Sequence, residues 1–592
     1  MSSISEFLPF SASTTTPQAL SYLFGISLFS ISFLVFLNSS VSFVVTDLIG
    51  QKDGVGDVVG TLGFADEVVA LVACPVWGLL SDRLGVRWVA VLGYLIIGAA
   101  LALFVQARNV YPDLLFARIF FAVGASAAAT MVTAILPSLT DETEQKPHHH
   151  VPKRRRATRV SDLSLESDVT ITPERYSNAS ASASASIYSD GDGEEEEEEE
   201  EERRLGRPSA LAGYVGVFTG CGALVALSLF LPLPAWFGEL DGVSTGDAVR
   251  YSYYVVALVA LGVGGFVFLG LEGLRGEEGK GWGALLGGRR DEATELPEDG
   301  DDSPQQPVLP YLHLLREAVT LGFTDSNIAL GYLGGFVARA STVAISLFIP
   351  LFVNTYFIGN GFCHGSPHDP SPELKKECRA AYVLASILSG VAQLLGLICA
   401  PAFGYFSSRL RRRSGGSNVP VQVAAVLGIV GYLAFPRLRS PEFKDVEGRG
   451  GGPVVLLLVA LMGVSQIGAI VCSLGSLGRG VLSEDSAPAR GGGEGRDGSC
   501  GEDTALLGRS RPAARDVRTR VALKGSVAGV YSWCGGAAIL LLTKLGGYLF
   551  DSVGGGAPFY MMALFNGIWL AASLGIDMGR EFRSHARGRS SP

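Results

Sequence analysis

Charged residues are scarce in this sequence. Asp, Glu, Lys and Arg make up 18% of its 592 residues, whereas about a quarter of the residues in an ordinary soluble domain are charged. Apolar residues make up 48%, and the mean hydropathy is positive. This balance excludes a typical soluble globular protein and indicates a chain that lies largely in a lipid bilayer.

Motifs for catalysis and for nucleotide or metal binding are also missing. The sequence contains no Gly-Lys-Ser/Thr loop, no Ser-His-Asp arrangement and no paired metal motif. We therefore expect neither an enzyme nor a primary pump, and no cofactor or metal. The three histidines at 148–150 are typical of a solvated run. The net charge of −10 indicates no nucleic-acid partner, because nine of the negative charges lie in one run at 194–202.

Cysteines are few and scattered. Five of the eight lie in apolar segments, where a thiol behaves as a small hydrophobe. Only Cys363 and Cys378 share a polar loop, on the predicted outer side. A disulfide between them is the leading interpretation, with free thiols next and a metal site that includes His364 and His368 third.

Twelve apolar runs fill most of the chain, each near the length that crosses about 30 Å of hydrocarbon. They lie at 22–46, 58–80, 88–106, 113–138, 209–233, 250–272, 327–356, 380–404, 419–436, 453–478, 522–545 and 556–577. The predicted organisation is a cytoplasmic N-terminus at 1–21, spans one to four at 22–140, a disordered cytoplasmic loop at 141–207, spans five and six at 208–272, a central cytoplasmic linker at 273–326, spans seven to ten at 327–480, a flexible cytoplasmic loop at 481–520, spans eleven and twelve at 521–577 and a cytoplasmic tail at 578–592.

The distribution of Lys and Arg sets the predicted topology. With both termini in the cytoplasm, most Lys and Arg fall in inner loops, as the positive-inside rule requires. The first apolar stretch lacks a basic region and a small-residue cleavage site, so we expect a retained span. The long low-complexity loops are typical of a fungal-like sequence. Nothing separates the plasma membrane from the vacuolar membrane.

An internal repeat relates the two sets of six spans. A shift of 326 residues superimposes six residues at the end of the second span on six identical residues at the end of the eighth. They are Leu71, Pro75, Gly78, Ser81, Arg83 and Leu84, which meet Leu397, Pro401, Gly404, Ser407, Arg409 and Leu410. We therefore predict an all-α membrane protein of twelve transmembrane helices in two pseudo-symmetric halves.

The turn after the second span carries the most specific motif. Residues 78–87 read Gly-Leu-Leu-Ser-Asp-Arg-Leu-Gly-Val-Arg, which resembles the loop signature of the major facilitator superfamily, with a departure only at Val86. The gating-loop residues are Gly78, Asp82, Arg83, Gly85 and Arg87. The resemblance implies a secondary transporter in which Asp82 and Arg83 steady the outward-facing state.

Two further family signatures match in part. Arg118 occupies the arginine of the fourth-helix signature, although Phe121 and Ala122 replace its Gln and first Gly. In the fifth span Gly216 begins the antiporter signature, yet Cys221 stands where that signature has Pro. The second departure weighs against antiport, and close helix packing explains the glycine spacing there.

Ionisable residues at membrane depth are functional candidates, because an uncompensated charge there costs several kcal/mol. Asp66 and Glu67 lie a third of the way into the second span, Arg118 two turns into the fourth and Arg339 near the middle of the seventh. We hypothesise that Arg339 pairs with Glu67 or Asp66 in the empty state and releases the carboxylate when cargo binds. Satisfied interhelical pairs are the structural alternative.

Three amide residues complete the predicted pocket. Asn38, Asn354 and Gln466 lie in the first, seventh and tenth spans, which line the cavity in the fold of this family, although an interhelical hydrogen bond explains each equally well.

The favoured function is secondary active transport of a small organic solute by alternating access, with proton-coupled export as its form. Asp66 and Glu67 are the proton or cation candidates. One alternative is an organic-anion carrier that uses Arg118 and Arg339. The alternative of another class is a non-transporting membrane sensor or scaffold. Sites suited to kinases in the 141–207 loop predict kinase partners.

Overall fold

The computed structural model describes residues 9–51, 55–140, 190–240, 242–277, 280–285, 311–361, 379–413, 417–445, 450–483 and 520–588. The predicted Cys363–Cys378 disulfide, the histidines at 148–150 and the kinase sites before residue 190 lie outside these residues.

Within this part of the chain, twelve helices are long and apolar enough to cross a membrane, as predicted. Labelled α1 to α12, they are Thr16–Ile49, Val58–Leu84, Val86–Phe104, Val110–Thr140, Gly206–Gly238, Thr245–Gly270, Ser326–Gly359, Val383–Leu410, Val419–Arg437, Val454–Leu482, Lys524–Ser552 and Ala557–Phe582. The predicted all-α membrane fold is confirmed.

Local sequence explains where the helices begin and end. Asp325 caps α7, because its carboxylate accepts hydrogen bonds from the backbone N–H groups of Asn327 (2.8 Å) and Ile328 (3.1 Å). Gly85 separates α2 from α3 in a single residue. Its φ of +96° is a conformation that residues with a side chain rarely adopt, so glycine permits this tight turn.

Helix α2 shows how the bundle faces lipid. Phe64, Val68, Val72 and Val76 recur every four residues and are all exposed, with Val72 at 67%. Since residues four apart lie on one face of a helix, they form an apolar stripe suited to acyl chains.

The two halves meet along two equivalent seams of small residues. In one seam Gly78 of α2 packs on Gly529 of α11, where a Cβ added to Gly78 would lie 2.8 Å from the Gly529 Cα. In the other, a Cβ added to Gly404 of α8 would lie 2.9 Å from the Cα of Gly213 of α5. Gly78 and Gly404 are the residues that the 326-residue shift superimposes. Each half thus contributes its second and fifth helices, in keeping with the predicted pseudo-symmetry.

Some predicted loops contain helix. The helix that includes α5 begins at Asp190, so the acidic run expected to be disordered is helical. Glu is a strong helix former, and negative charge is favourable near a helix N-terminus. The predicted linker contains the helices Trp282–Leu285 and Tyr311–Thr324. The last helix continues to Gly588, within the predicted tail.

Candidate functional site

A cavity of about 260 Å³, the central cavity, lies between the two halves. Its volume is slightly below the range of about 300–1,000 Å³ for pockets that hold drug-sized ligands. Its polar lining residues come from α1, α4, α5, α7, α8, α10 and α11, and are Ser30, Thr133, Thr219, Arg339, Thr342, Gln393, Gln466 and Tyr531. The other lining residues are aliphatic or small, so the cavity can hold a small organic molecule.

Arg339 is the one charged residue among the described residues that line the central cavity. It is half-buried, and within the described chain it forms no hydrogen bond or ion pair. Its stem packs closely on α11, because a Cβ added to Gly535 would lie 2.7 Å from the Arg339 Cγ. The cavity therefore presents a positioned guanidinium whose donors are available to a bound molecule.

An amide network holds the neighbouring wall. Gln466 donates a hydrogen bond from Nε2 to the Thr342 hydroxyl (2.9 Å) and accepts a longer one from Gln393 Nε2 (3.4 Å). The Tyr531 hydroxyl is bonded to the Ser473 hydroxyl at 3.0 Å. These groups fix one another, so the Arg339 guanidinium is the strongest donor left for a cargo.

Asp66 and Arg118 form a buried ion pair in the first half. The Arg118 Nε lies 2.8 Å from both Asp66 carboxylate oxygens, and its Nη2 donates to Asp66 and to the Asn38 side-chain oxygen. The side chains of Arg118 and Asp66 are only 2% and 12% exposed. The predicted Asp66–Arg339 pair is therefore not formed, because Arg118 lies at the same depth as Asp66 on the neighbouring helix α4.

Glu67 remains as the second carboxylate at this depth. It is half-buried and has no hydrogen bond or ion pair among the described residues. Arg339 acts on it electrostatically, although the two form no direct contact. The hypothesis that Arg339 pairs with Glu67 in the empty state stays a prediction, since the two side chains form no hydrogen bond or ion pair in the described part of the chain.

The three predicted pocket amides have different surroundings. Gln466 lines the central cavity, whereas Asn38 binds Arg118. Asn354 is not among the cavity-lining residues, and its side-chain oxygen is buried with no hydrogen-bond partner in the described chain.

The end of the bundle that carries the 78–87 turn, here called the inner end, is closed by contacts between the halves. The Asp82 carboxylate accepts hydrogen bonds from the backbone N–H groups of Gly525 and Ser526, both at 2.7 Å, and from the Ser526 hydroxyl. Asp82 therefore caps the start of α11, which belongs to the opposite half.

Sequence reasoning missed a second contact at the inner end. The Lys524 ammonium is fully buried and lies 2.6 Å from a Glu277 carboxylate oxygen. The other Glu277 oxygen accepts a hydrogen bond from the Val86 N–H at 2.6 Å. Glu277 therefore joins the 78–87 turn to α11. The only sequence signal was a lysine two residues inside a predicted span, which resembles an ordinary loop charge.

Arg87 and Arg83 of the gating loop also form hydrogen bonds with residues outside α11. The Arg87 Nε donates to the Phe268 carbonyl at 2.8 Å, and its guanidinium lies 4.2 Å from the Phe268 ring centroid. The Arg83 carbonyl accepts a hydrogen bond from the Gly281 N–H at 3.1 Å. The described contacts between this turn and α11 therefore include the direct ones of Gly78 and Asp82 and the indirect one through Glu277.

The seam at Gly78 predicts opposite effects for two alanine substitutions in α2. Gly78→Ala is expected to lower the free energy of unfolding by about 1–3 kcal/mol, because its Cβ would meet backbone atoms of α11 that cannot rotate away. Gly63→Ala has no atom within 4 Å of its Cβ and is expected to be neutral or stabilising by up to about 1 kcal/mol. Thermal unfolding of the two purified variants checks this, and an equal shift for both would contradict the close contact.

Comparison with known proteins finds one family model and several similar solved structures. Residues 23–147 match the family model of the Major Facilitator Superfamily. No curated protein matches the chain. Similar solved structures include the proton:xylose symporter XylE bound to 6-bromo-6-deoxy-D-glucose (12% identity, TM-score 0.48, 94% of each chain). They also include the E. coli fucose:proton symporter FucP, with 13% identity, a TM-score of 0.47 and coverage of 93% of this chain and 98% of that one. The human organic anion transporter MFSD10 has 13% identity, a TM-score of 0.45 and coverage of 94% of this chain and 99% of that one.

The twelve described helices that are long and apolar enough to cross a membrane define a multi-pass membrane protein. The family match confirms, over residues 23–147, the resemblance to the Major Facilitator Superfamily that the 78–87 turn predicted.

Proposed function

We propose that the protein is a secondary active transporter that carries a small organic solute by alternating access. The observation that supports this most directly is Arg339, the one charged residue among the described cavity-lining residues, with no protein partner among them. A charge at membrane depth is costly, so its retention beside a cavity between two halves is best explained by cargo binding.

Alternating access requires the two halves to move relative to each other at the seams between them. Glycine contacts join α2 to α11 and α5 to α8, and polar contacts from Asp82 and Glu277 close the inner end. Transport requires these contacts to break and re-form while the central cavity changes the side to which it opens. The small residues leave few interlocked side chains to hinder that movement.

Glu67 is the coupling carboxylate in this proposal. Asp66 is bound by Arg118, whereas Glu67 has no direct partner and lies within electrostatic reach of Arg339. A carboxylate in that position can take up or release a proton as cargo arrives at Arg339. The sequence favours proton-coupled export, and a proton exchanged at Glu67 can be coupled to cargo movement in that direction.

Flux measurements in proteoliposomes test both parts of the proposal. With a panel of labelled metabolites and drugs, wild-type protein is expected to accumulate its cargo when a pH gradient is imposed. Glu67→Gln should abolish accumulation but retain exchange of cargo across the membrane. Arg339→Ala should abolish both. Glu239→Gln, which makes the same change at an exposed position at the outer end of α5, serves as the matched control.

The same assay separates transport from the sensor or scaffold alternative. Absence of flux for every compound, in either direction, would contradict the proposed transport function. The alternative predicts that deleting residues 145–205 abolishes cellular function while Arg339→Ala leaves it intact. Unchanged gradient-driven accumulation by Glu67→Gln would contradict the coupling role alone.

A further inference from the structure

We propose that the cargo is an amphipathic organic monoanion of the carboxylate type, bound through Arg339 with its apolar part against the aliphatic side chains of the central cavity. This inference rests on the transport function proposed above and names the class of molecule that the same cavity takes.

The charges around the cavity indicate an anion with a single charge. Arg339 is the one cation among the described lining residues, and Arg118 is already compensated by Asp66. Glu67 is near enough to Arg339 to interact with it electrostatically. A monoanion therefore balances Arg339, whereas a second negative charge at this depth would lack a cation and face Glu67.

The remaining charged and titratable groups near Glu67 do not supply a second cation. On its own helix lie Asp66 and Cys74, and Arg118 on α4 is engaged in the buried ion pair. On α11, Lys544 lies 4.3 Å from the Phe64 ring centroid, one helical turn closer to the outer end. None of these offers a free cation at the central cavity.

The shape of the donor favours a carboxylate. A guanidinium is planar and can donate two parallel hydrogen bonds to the two oxygens of one carboxylate. The Gln466 amide and the Tyr531 hydroxyl are already bonded to neighbours, so they add little to the recognition of charge. Recognition of the anionic group thus falls mainly to Arg339.

The two walls of the cavity differ in polarity. The second half contributes Arg339 and the Thr342, Gln393 and Gln466 side chains. The first half contributes no charged or amide side chain; besides the hydroxyls of Ser30, Thr133 and Thr219, its side chains are aliphatic or small. The second half also contributes aliphatic side chains, including Leu397, Ile467, Ile470 and Leu474. A molecule with one charged end and an apolar body suits this lining, because Arg339 is its one charged side chain among the described residues and aliphatic side chains come from both halves.

Binding to the purified full-length protein in nanodiscs tests the inference with three matched probes. They are 4-phenylbutyrate, its neutral isostere 4-phenylbutyramide, and the dianion phenylsuccinate. By isothermal titration, the monocarboxylate is expected to bind at least about tenfold more tightly than either of the others, because a hydrogen bond to a charged group is roughly that much stronger. Arg339→Gln should remove the preference over the amide, and Arg339→Lys should retain part of it.

Arg250→Gln is the matched control, because Arg250 is 49% exposed at the start of α6 and should leave all three affinities unchanged. A preference for the carboxylate that survives Arg339→Gln, tighter binding of the dianion, or no binding of any probe by folded wild-type protein would each overturn the inference. Binding without flux would instead contradict the transport function. Flux of neutral solutes without a carboxylate preference would contradict only the cargo class.

Discussion

Arg118→Gln is expected to lower the free energy of unfolding by about 3–5 kcal/mol, among the largest single-residue effects in this protein. The substitution removes the guanidinium but leaves the Asp66 carboxylate, which is 12% exposed, without its counter-charge inside the bundle. It also removes the donor to Asn38. Reversible unfolding of the purified protein in mixed detergent micelles measures this change.

The double variant Asp66→Asn/Arg118→Gln gives a sharper test, because it removes both charges together. Replacing both members of a buried ion pair with uncharged groups often changes the free energy of unfolding little. The double variant should therefore be more stable than Arg118→Gln alone and close to wild type. Arg250→Gln breaks an exposed ion pair with Asp247 and should cost at most about 1 kcal/mol. Equal losses for Arg118→Gln and Arg250→Gln would show that the buried pair has no special role.

Asp82→Ala is expected to shift the protein from the inner-closed arrangement towards an inner-open one by about tenfold to a hundredfold. In the closed arrangement the backbone N–H groups of Gly525 and Ser526 would lose their acceptor, and each unsatisfied buried donor costs about 1–3 kcal/mol. Opening would let water reach them. A difference of about 1.4 kcal/mol corresponds to a factor of ten.

Hydrogen–deuterium exchange followed by mass spectrometry checks this shift. Peptides that contain Gly525 and Ser526 should exchange faster in Asp82→Ala, while peptides from the outer ends of the same helices should not. Asp247→Ala removes an exposed carboxylate at the outer end of α6 and serves as the control. Unchanged exchange at the start of α11 would show that Asp82 does not hold the inner end closed.

The fold was largely predictable because the bilayer imposes a length and an apolar composition on every span. Each predicted span overlaps one observed helix, and Gly78 was recognised because a tight turn and a close helix approach both require glycine. The predicted loops were less accurate. The run at 194–202 was expected to be disordered from its charge, although Glu also favours helix when a helix follows directly.

Candidate residues for the site could be named from the sequence, but their contact partners could not. Asp66, Arg118 and Arg339 stand out because charges are rare at membrane depth, yet sequence alone does not say which carboxylate meets which arginine. The observed helices place Asp66 and Arg118 at equal depth, each eight residues from the outer end of its helix. The predicted fourth span began three residues later, so the sequence did not show this match. Lys524 was missed because its burial depends on Glu277, which lies outside the predicted spans.

The contact between Asp82 and α11 determines which substitutions positions 525 and 526 can tolerate. Asp82 binds two main-chain N–H groups, and every residue except proline supplies such a group. Drift at Ser526 can therefore leave most of the contact intact. Gly525 has no such freedom, because an added Cβ would lie 2.6 Å from an Asp82 carboxylate oxygen. Among natural variants of this protein, substitutions should accumulate at position 526 and be purged at position 525.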